Sequence, residues 1–129
     1  HYVVEKISSS LNKFKKSING SKILIIGVAY KKDVNDMRES PALEIIKILR
    51  DKGGFVNFYD PYVDKLKIDK AEINSTKLNK SFLKTQDCVV IITNHTKIDY
   101  KFILDNSKVI VDTRNALKGF TKRKNVIKL

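Results

Sequence analysis

Two cation-bearing stretches are where this sequence can do chemistry. The first is Gly27-Val28-Ala29-Tyr30-Lys31-Lys32-Asp33, running on through Asp36, Arg38 and Glu39 to Ser40-Pro41, directly after the apolar run Ile23 to Ile26. The second is Arg114, just past Val109-Ile110-Val111. Cations in a loop that leads into a helix start suit a diphosphate, because the amino end of a helix adds positive potential to their charge. Arginine also offers phosphate a two-pronged fork that lysine lacks. The chain has 22 lysines and only 4 arginines, so an arginine just past each of two apolar runs points to a geometric need. The alternative for both is structural pairing with Asp36, Glu39 or Asp112.

The other reactive side chains give less. A dinucleotide fingerprint needs three glycines, for the turn, the pyrophosphate approach and the helix packing. Here Gly27 is followed by Val28, Ala29 and Tyr30, so phosphate must be held by side chains, with Lys31 and Arg38 the candidates. Asp60, in Tyr59-Asp60-Pro61, stands where an acid can grip a ribose, although before proline it equally serves a turn. His95 can face the same edge, and bonding to loop backbone is its expected role. With His1 the only other histidine, no metal cluster is expected. Cys88 has no basic neighbour to activate it and reads as a packed thiol. No nucleophile is paired with a base, so no catalytic residue is assigned.

These residues need elements to hold them in place. Val3, Val4, Ile7, Leu11 and Phe14 recur every three or four residues, predicting a helix over 2–17 closed by Asn19-Gly20. A strand follows at Ile23–Ile26. A second helix carries Ala42, Ile45, Ile46 and Leu49 on one face, with Ser40 as N-cap, Pro41 at its first position and Gly53-Gly54 as its stop. Phe55–Tyr59 is a strand, and Val63 to Phe82 is polar and lysine-rich, predicting only short irregular elements. Cys88 to Ile92 is a continuous apolar run, as expected of a strand buried on both faces. Ile98–Leu104 can form a short helix, Val109–Val111 a strand, and Asn125–Leu129 an edge strand. The alternation predicts an α/β fold: a Rossmann-like, mostly parallel sheet with helices on both faces, preceded by an N-terminal helix. Both cation stretches then lie at the carboxyl edge of the sheet, where open α/β folds take ligands.

Composition narrows the classes. A chain of 129 residues, 42% hydrophobic and 31% charged, suits one globular domain. No apolar run approaches the roughly 20 residues that span a bilayer, and no signal peptide is visible, so no membrane partner and a cytoplasmic location are expected. A lone cysteine fits a reducing compartment. The chain starts at His1 rather than Met, as a piece of a longer protein would. The net charge of +12 invites a nucleic-acid reading. Lysines scattered through the chain, with few arginines, argue instead for a solvated surface, so nucleic acid is not an expected partner. A basic nucleic-acid module and a ligand-free Rossmann-like scaffold stand as the alternatives.

The run Gly27 to Asp33 with Asp36-x-Arg38-Glu39-Ser40-Pro41 closely resembles the carboxyl-terminal domain of the UDP-glucose/GDP-mannose dehydrogenase family. Tyr59-Asp60-Pro61-Tyr62-Val63, Thr93-Asn94-His95 and Val111-Asp112-Thr113-Arg114-Asn115 agree in order. Arg38-Glu39-Ser40-Pro41, Asn94 to Tyr100 and Asp112 to Asn115 look most like the UDP-N-acetylhexosamine 6-dehydrogenase branch. The resemblance implies a domain that binds the UDP of a sugar whose 6-hydroxyl is oxidised to a carboxylate in two NAD-dependent steps, through a cysteine-bound thiohemiacetal. That cysteine and the main NAD site would lie upstream of this chain, Cys88 not being its counterpart, and the isolated domain would not be catalytic. By resemblance Tyr30, Lys31 and Arg114 would contact the UDP-sugar, and Arg38 would reach toward the NAD pyrophosphate. Residues 1–19 would end an inter-domain helical region and 20–129 would form the binding domain. Its partners would be the N-terminal and central domains of a homodimeric parent enzyme.

Overall fold

The computed structural model describes residues 1–120 and 123–129. Eleven elements follow one another: α1 (Tyr2–Asn12), β1 (Lys22–Ile26), α2 (Pro41–Asp51), β2 (Phe55–Tyr59), β3 (Lys65–Ile68), β4 (Ala71–Asn74), α3 (Lys80–Thr85), β5 (Cys88–Ile91), α4 (Tyr100–Asn106), β6 (Ile110–Asp112) and β7 (Val126–Lys128). Five strands form one sheet in the order β2-β1-β5-β6-β7, every pair parallel. The expected parallel α/β sheet is present, with β7 as its edge strand.

Alternation along β1 explains the two layers. Ile23 and Ile25 enter a core with Val4, Ile7 and Leu11 of α1 and Ile45, Ile46 and Leu49 of α2. Leu24 and Ile26 point the other way, into a core with Leu83 of α3 and Ile103 and Leu104 of α4. A strand buried on both faces must be apolar at every position, which is what Ile23–Ile26 and Cys88–Ile91 are. Helices thus cover both faces, and the apolar stripe of α1 is packed within the first core.

The start of α2 follows sequence chemistry closely. The Ser40 hydroxyl accepts from the Ala42 N–H at 3.2 Å, and Pro41 opens the helix without losing a bonded N–H. At the other end Gly53 N–H donates to Arg50 O and Gly54 N–H to Leu49 O. Gly53 sits at φ +91°, the left-handed turn that closes a helix with this pair of bonds.

The structure differs from the sequence expectation at two places. First, α1 stops at Asn12, and Phe14 is exposed rather than on the buried face. Lys15 takes the left-handed turn at φ 61°, with Lys15 N–H donating to Asn12 O and Lys16 N–H to Leu11 O. Asn19-Gly20 is therefore not the cap of this helix. Second, the segment read as irregular holds an antiparallel hairpin, β3–β4, and the six-residue helix α3. Leu66 and Ile68 are buried between outward lysines, anchoring the hairpin to the first core.

Candidate functional site

In a parallel sheet all the strand carboxyl ends lie along one edge. The chain steps from β1 outward to β2, then returns past β1 to β5 and β6. The strand order reverses between β1 and β5, so the loops after these two strands flank the crevice where such sheets bind ligands. The loop after β1 carries Tyr30, Lys31 and Arg38, and the loop after β5 carries His95. Arg114 follows β6, one strand further along, roughly 10 Å from the β1 end at the usual strand spacing.

Gly27 makes the first turn out of β1. Its N–H donates to Tyr59 O at 2.9 Å, and its φ of +80° is one that glycine adopts without penalty. The Ser40 hydroxyl, besides capping α2, donates to Val28 O at 2.6 Å, so the far end of the loop is tied to its root. Tyr30 N–H reaches Asp36 O at 2.7 Å across the loop.

Two buried aspartates at strand ends then set the loops. Asp60 Oδ2 accepts from Val28 N at 2.8 Å and Ala29 N at 3.3 Å, while Oδ1 accepts from Tyr62 N at 2.8 Å. Asp112, at the end of β6, accepts from the backbone of Arg114, Ala116 and Leu117 at 3.1, 3.0 and 3.0 Å. Each side chain is a fixed internal acceptor around which backbone amides converge. Asp60 is thus a turn residue with an added role, turned inward and away from any ribose. It also takes the Val28 and Ala29 amides that a glycine-rich loop would give to a pyrophosphate.

His95 completes this arrangement. Its Nδ1 accepts from the Asp33 N–H at 2.7 Å, and its Nε2 lies 2.8 Å from Asp60 Oδ2, with both side chains fully buried. The backbone bond expected of His95 is present, together with a carboxylate partner the sequence reading missed. Asp33 closes the link by accepting from Thr96 N and Thr96 Oγ1, each at 2.6 Å. These two bonds hold the Asp33 carboxyl below its ordinary range. Asp33, His95 and Asp60 stand far apart in the chain, and their one shared signal is a position shortly after a strand.

The cations differ in their freedom. Arg38 Nε and Nη2 both engage the Asp36 carboxylate, at 3.1 and 2.9 Å, on a side chain 89% exposed. That pairing drops the Asp36 carboxyl to about 2 and raises the Arg38 guanidinium. Lys31 is exposed, and no acid pairs with it or with the Arg114 guanidinium among the described residues. Arg114 borders an open cleft of about 510 Å³ lined also by Thr113, Asn115 and Lys128. Structural pairing therefore accounts for Arg38 and leaves Arg114 available. Tyr30, 44% exposed, stands beside Lys31 on the same loop.

Cys88 opens β5 with no exposed surface, and burial pushes its thiol up to about 12. A neutral, shielded thiol does not react. Iodoacetamide should leave Cys88 untouched in the folded chain and modify it only in urea; labelling under native conditions would show that β5 opens. No group of side chains able to hold a metal occurs among the described residues, and no helix is long and apolar enough to cross a membrane.

Comparison with known proteins places this chain in a family. Residues 24–119 match the UDP-glucose/GDP-mannose dehydrogenase family, UDP binding domain. The chain is 32% identical over 125 residues to a UDP-N-acetyl-D-mannosamine dehydrogenase of Methanococcus maripaludis, covering 91% of this chain and 27% of the relative. It is 30% identical over 129 residues to a UDP-glucose 6-dehydrogenase of Rickettsia bellii, covering 91% of this chain and 28% of the relative. The solved UDP-D-ManNAc dehydrogenase of Pyrococcus horikoshii superposes with a TM-score of 0.74 at 26% identity, over 95% of this chain and 28% of that one. The chain therefore spans little more than a quarter of the length of the relatives it matches. With its parallel sheet and its switch-point crevice, the chain belongs to the UDP-glucose/GDP-mannose dehydrogenase family and represents the family's UDP-binding domain.

Proposed function

We propose that this chain is the substrate-nucleotide domain of an NAD-dependent nucleotide-sugar 6-dehydrogenase, one acting on a UDP-N-acetylhexosamine. The observation that carries the reading is a pair of cations, Lys31 and Arg114, that no acid pairs with among the described residues, held on loops fixed by buried aspartates at one sheet edge. In the proposed site these cations neutralise the diphosphate while Tyr30 lies against the nucleotide or sugar. Residues 1–19 end the inter-domain helical region, and 20–129 form the binding domain. The catalytic cysteine belongs to a part of the parent enzyme outside this chain, which works in the cytoplasm as a homodimer with its N-terminal and central domains.

NAD itself does not suit the loop after β1. The Val28 and Ala29 amides are bonded to Asp60, and Gly27 is the only glycine there. The chain's contribution to that cofactor reduces to Arg38, which exchanges part of its bond to Asp36 for a phosphate reaching across from the NAD domain. Oxidation of the sugar is carried out elsewhere in the parent enzyme; this chain binds and orients the substrate.

Calorimetric titration with UDP, AMP and a short oligonucleotide, at low and at physiological salt, tests the reading. UDP should bind with AMP well behind. Lys31→Ala or Arg114→Ala should each weaken UDP by about tenfold or more, since a charged hydrogen bond contributes about 1.5–3 kcal/mol. Unchanged affinity in both variants would remove the site. Oligonucleotide binding that falls steeply with salt and shows no uridine preference would favour the polyanion module.

A further inference from the structure

The side chains of the buried Asp60–His95 pair make no hydrogen bond to the side chains of Tyr30, Lys31 or Arg114, yet three of the four backbone N–H groups they accept from belong to the segment that carries Tyr30 and Lys31. From this geometry we infer that Asp60 and His95 are positioning residues that lock the Tyr30–Arg38 loop in its ligand-ready form. The inference rests on the reading of that loop as a nucleotide site. Asp60 holds the root of the loop through Val28 and Ala29, and His95 holds its middle through the Asp33 N–H. Asp33 sits at φ 65°, a left-handed conformation that a non-glycine residue keeps only when its surroundings impose it. The bonds from Thr96 to the Asp33 carboxylate and from the Tyr100 hydroxyl to His95 O at 2.7 Å fix the β5–α4 loop against the same point.

The hydrogen-bond roles allow one arrangement. The Asp33 N–H is a donor, so His95 Nδ1 must be bare; the ring proton is then on Nε2 and is donated to Asp60 Oδ2. A phenylalanine fills similar space but supplies neither bond. Asparagine can place its amide oxygen near the Nδ1 position and accept from Asp33, whereas glutamine reaches the Nε2 position and serves only Asp60. Replacing both members of a buried polar pair by apolar groups is often neutral, because desolvation offsets their attraction, whereas removing one member leaves the other uncompensated and is destabilising. The pair's use here is specificity of loop conformation.

The test compares the parent chain with His95→Phe, His95→Asn and His95→Gln by UDP titration, urea unfolding and amide hydrogen exchange. Expected are a lowered urea midpoint for H95F, since Asp60 loses its buried partner and the Asp33 N–H its acceptor, and UDP affinity weakened roughly tenfold or more. Exchange at the Asp33 and Thr96 amides should also rise by about tenfold more than at the β1 and β5 amides, the size of one lost hydrogen bond. H95N should recover much of both losses and H95Q little. If H95F fails to fold, Thr96→Val, which removes one surface bond to Asp33, should still accelerate Asp33 exchange and weaken UDP in a folded chain. A folded H95F with parental UDP affinity and parental exchange would overturn the inference. Exchange does not depend on ligand: a parent without uridine preference would defeat the nucleotide reading alone, while parental Asp33 exchange in H95F would defeat the lock alone.

Discussion

Gly27→Ala should cost this fold roughly 2–5 kcal/mol, a large share of the 5–15 kcal/mol typical of a domain. A Cβ at position 27 would lie 2.2 Å from Thr93 O, 2.7 Å from Thr93 Cβ and 2.8 Å from Thr93 C. The obstacle is backbone, not the far end of a flexible side chain. That backbone is itself tied down: Thr93 N–H donates to Ile26 O at 3.3 Å and Thr93 Oγ1 donates to Ala29 O at 2.6 Å. Relief would require β1 and β5 to part at the switch point. The left-handed φ of +80° adds about 1–2 kcal/mol for any residue with a Cβ, and overpacking adds about 1–3 kcal/mol. Urea unfolding followed by far-UV circular dichroism measures the difference. A loss within about 1 kcal/mol, the size of an ordinary point substitution, would mean that the strands separate freely there. UDP affinity should fall as well, because the parting strands carry the two loops that flank the crevice.

The same contacts explain what was legible beforehand. β1 and β5 were readable because a strand between two helix layers must be apolar throughout, leaving the unbroken runs Ile23 to Ile26 and Cys88 to Ile91. α2 was readable because Ser40-Pro41 and Gly53-Gly54 each solve a terminal hydrogen-bond problem that few residues solve. The β3–β4 hairpin was not. Its strands are four residues each and mostly exposed, and its turn uses Asp69 at φ 55° without glycine. The end of α1 was misplaced because Phe14 continues the apolar spacing although Lys15, not a glycine, makes the left-handed turn.

For the site, the cations were visible because two of only four arginines follow strands. Their states were not, since nothing local says that Asp36 binds Arg38 while Asp112 turns to backbone amides and leaves the Arg114 guanidinium without an acid partner among the described residues. The Asp33–His95–Asp60 link is formed purely by topology. Parallel strands β2, β1 and β5 bring their carboxyl ends side by side, and residues 35 and 62 apart in sequence bond there. Spacing within the chain carries no trace of such a contact, whereas burial of a polar pair reveals it at once.

Asp60→Ala should be the most damaging change among the polar residues, with an expected loss of about 4 kcal/mol. Alanine strands the N–H groups of Val28, Ala29 and Tyr62 and the His95 Nε2–H, with the buried ones shut off from water. Each buried donor left without a partner costs about 1–3 kcal/mol, reduced where the loop can shift to admit water. Asp60→Asn separates charge from geometry. Its single oxygen can take the Oδ2 position and serve Val28, Ala29 and His95, but its NH₂ then faces the Tyr62 N–H. Turning the amide over satisfies Tyr62 and sets NH₂ against three donors instead. His95 cannot relieve this second arrangement by moving its proton to Nδ1, because that nitrogen accepts from Asp33. Asn should therefore lose less than Ala but remain clearly below the parent, in the order Asp, Asn, Ala on a urea curve. An Asn chain as stable as the parent would show that Tyr62 N–H finds water and that the carboxylate matters only for its Oδ2 bonds. An Ala chain as stable as the parent would mean that the loop after β1 needs no buried anchor, and the assignment of Asp60 would fall.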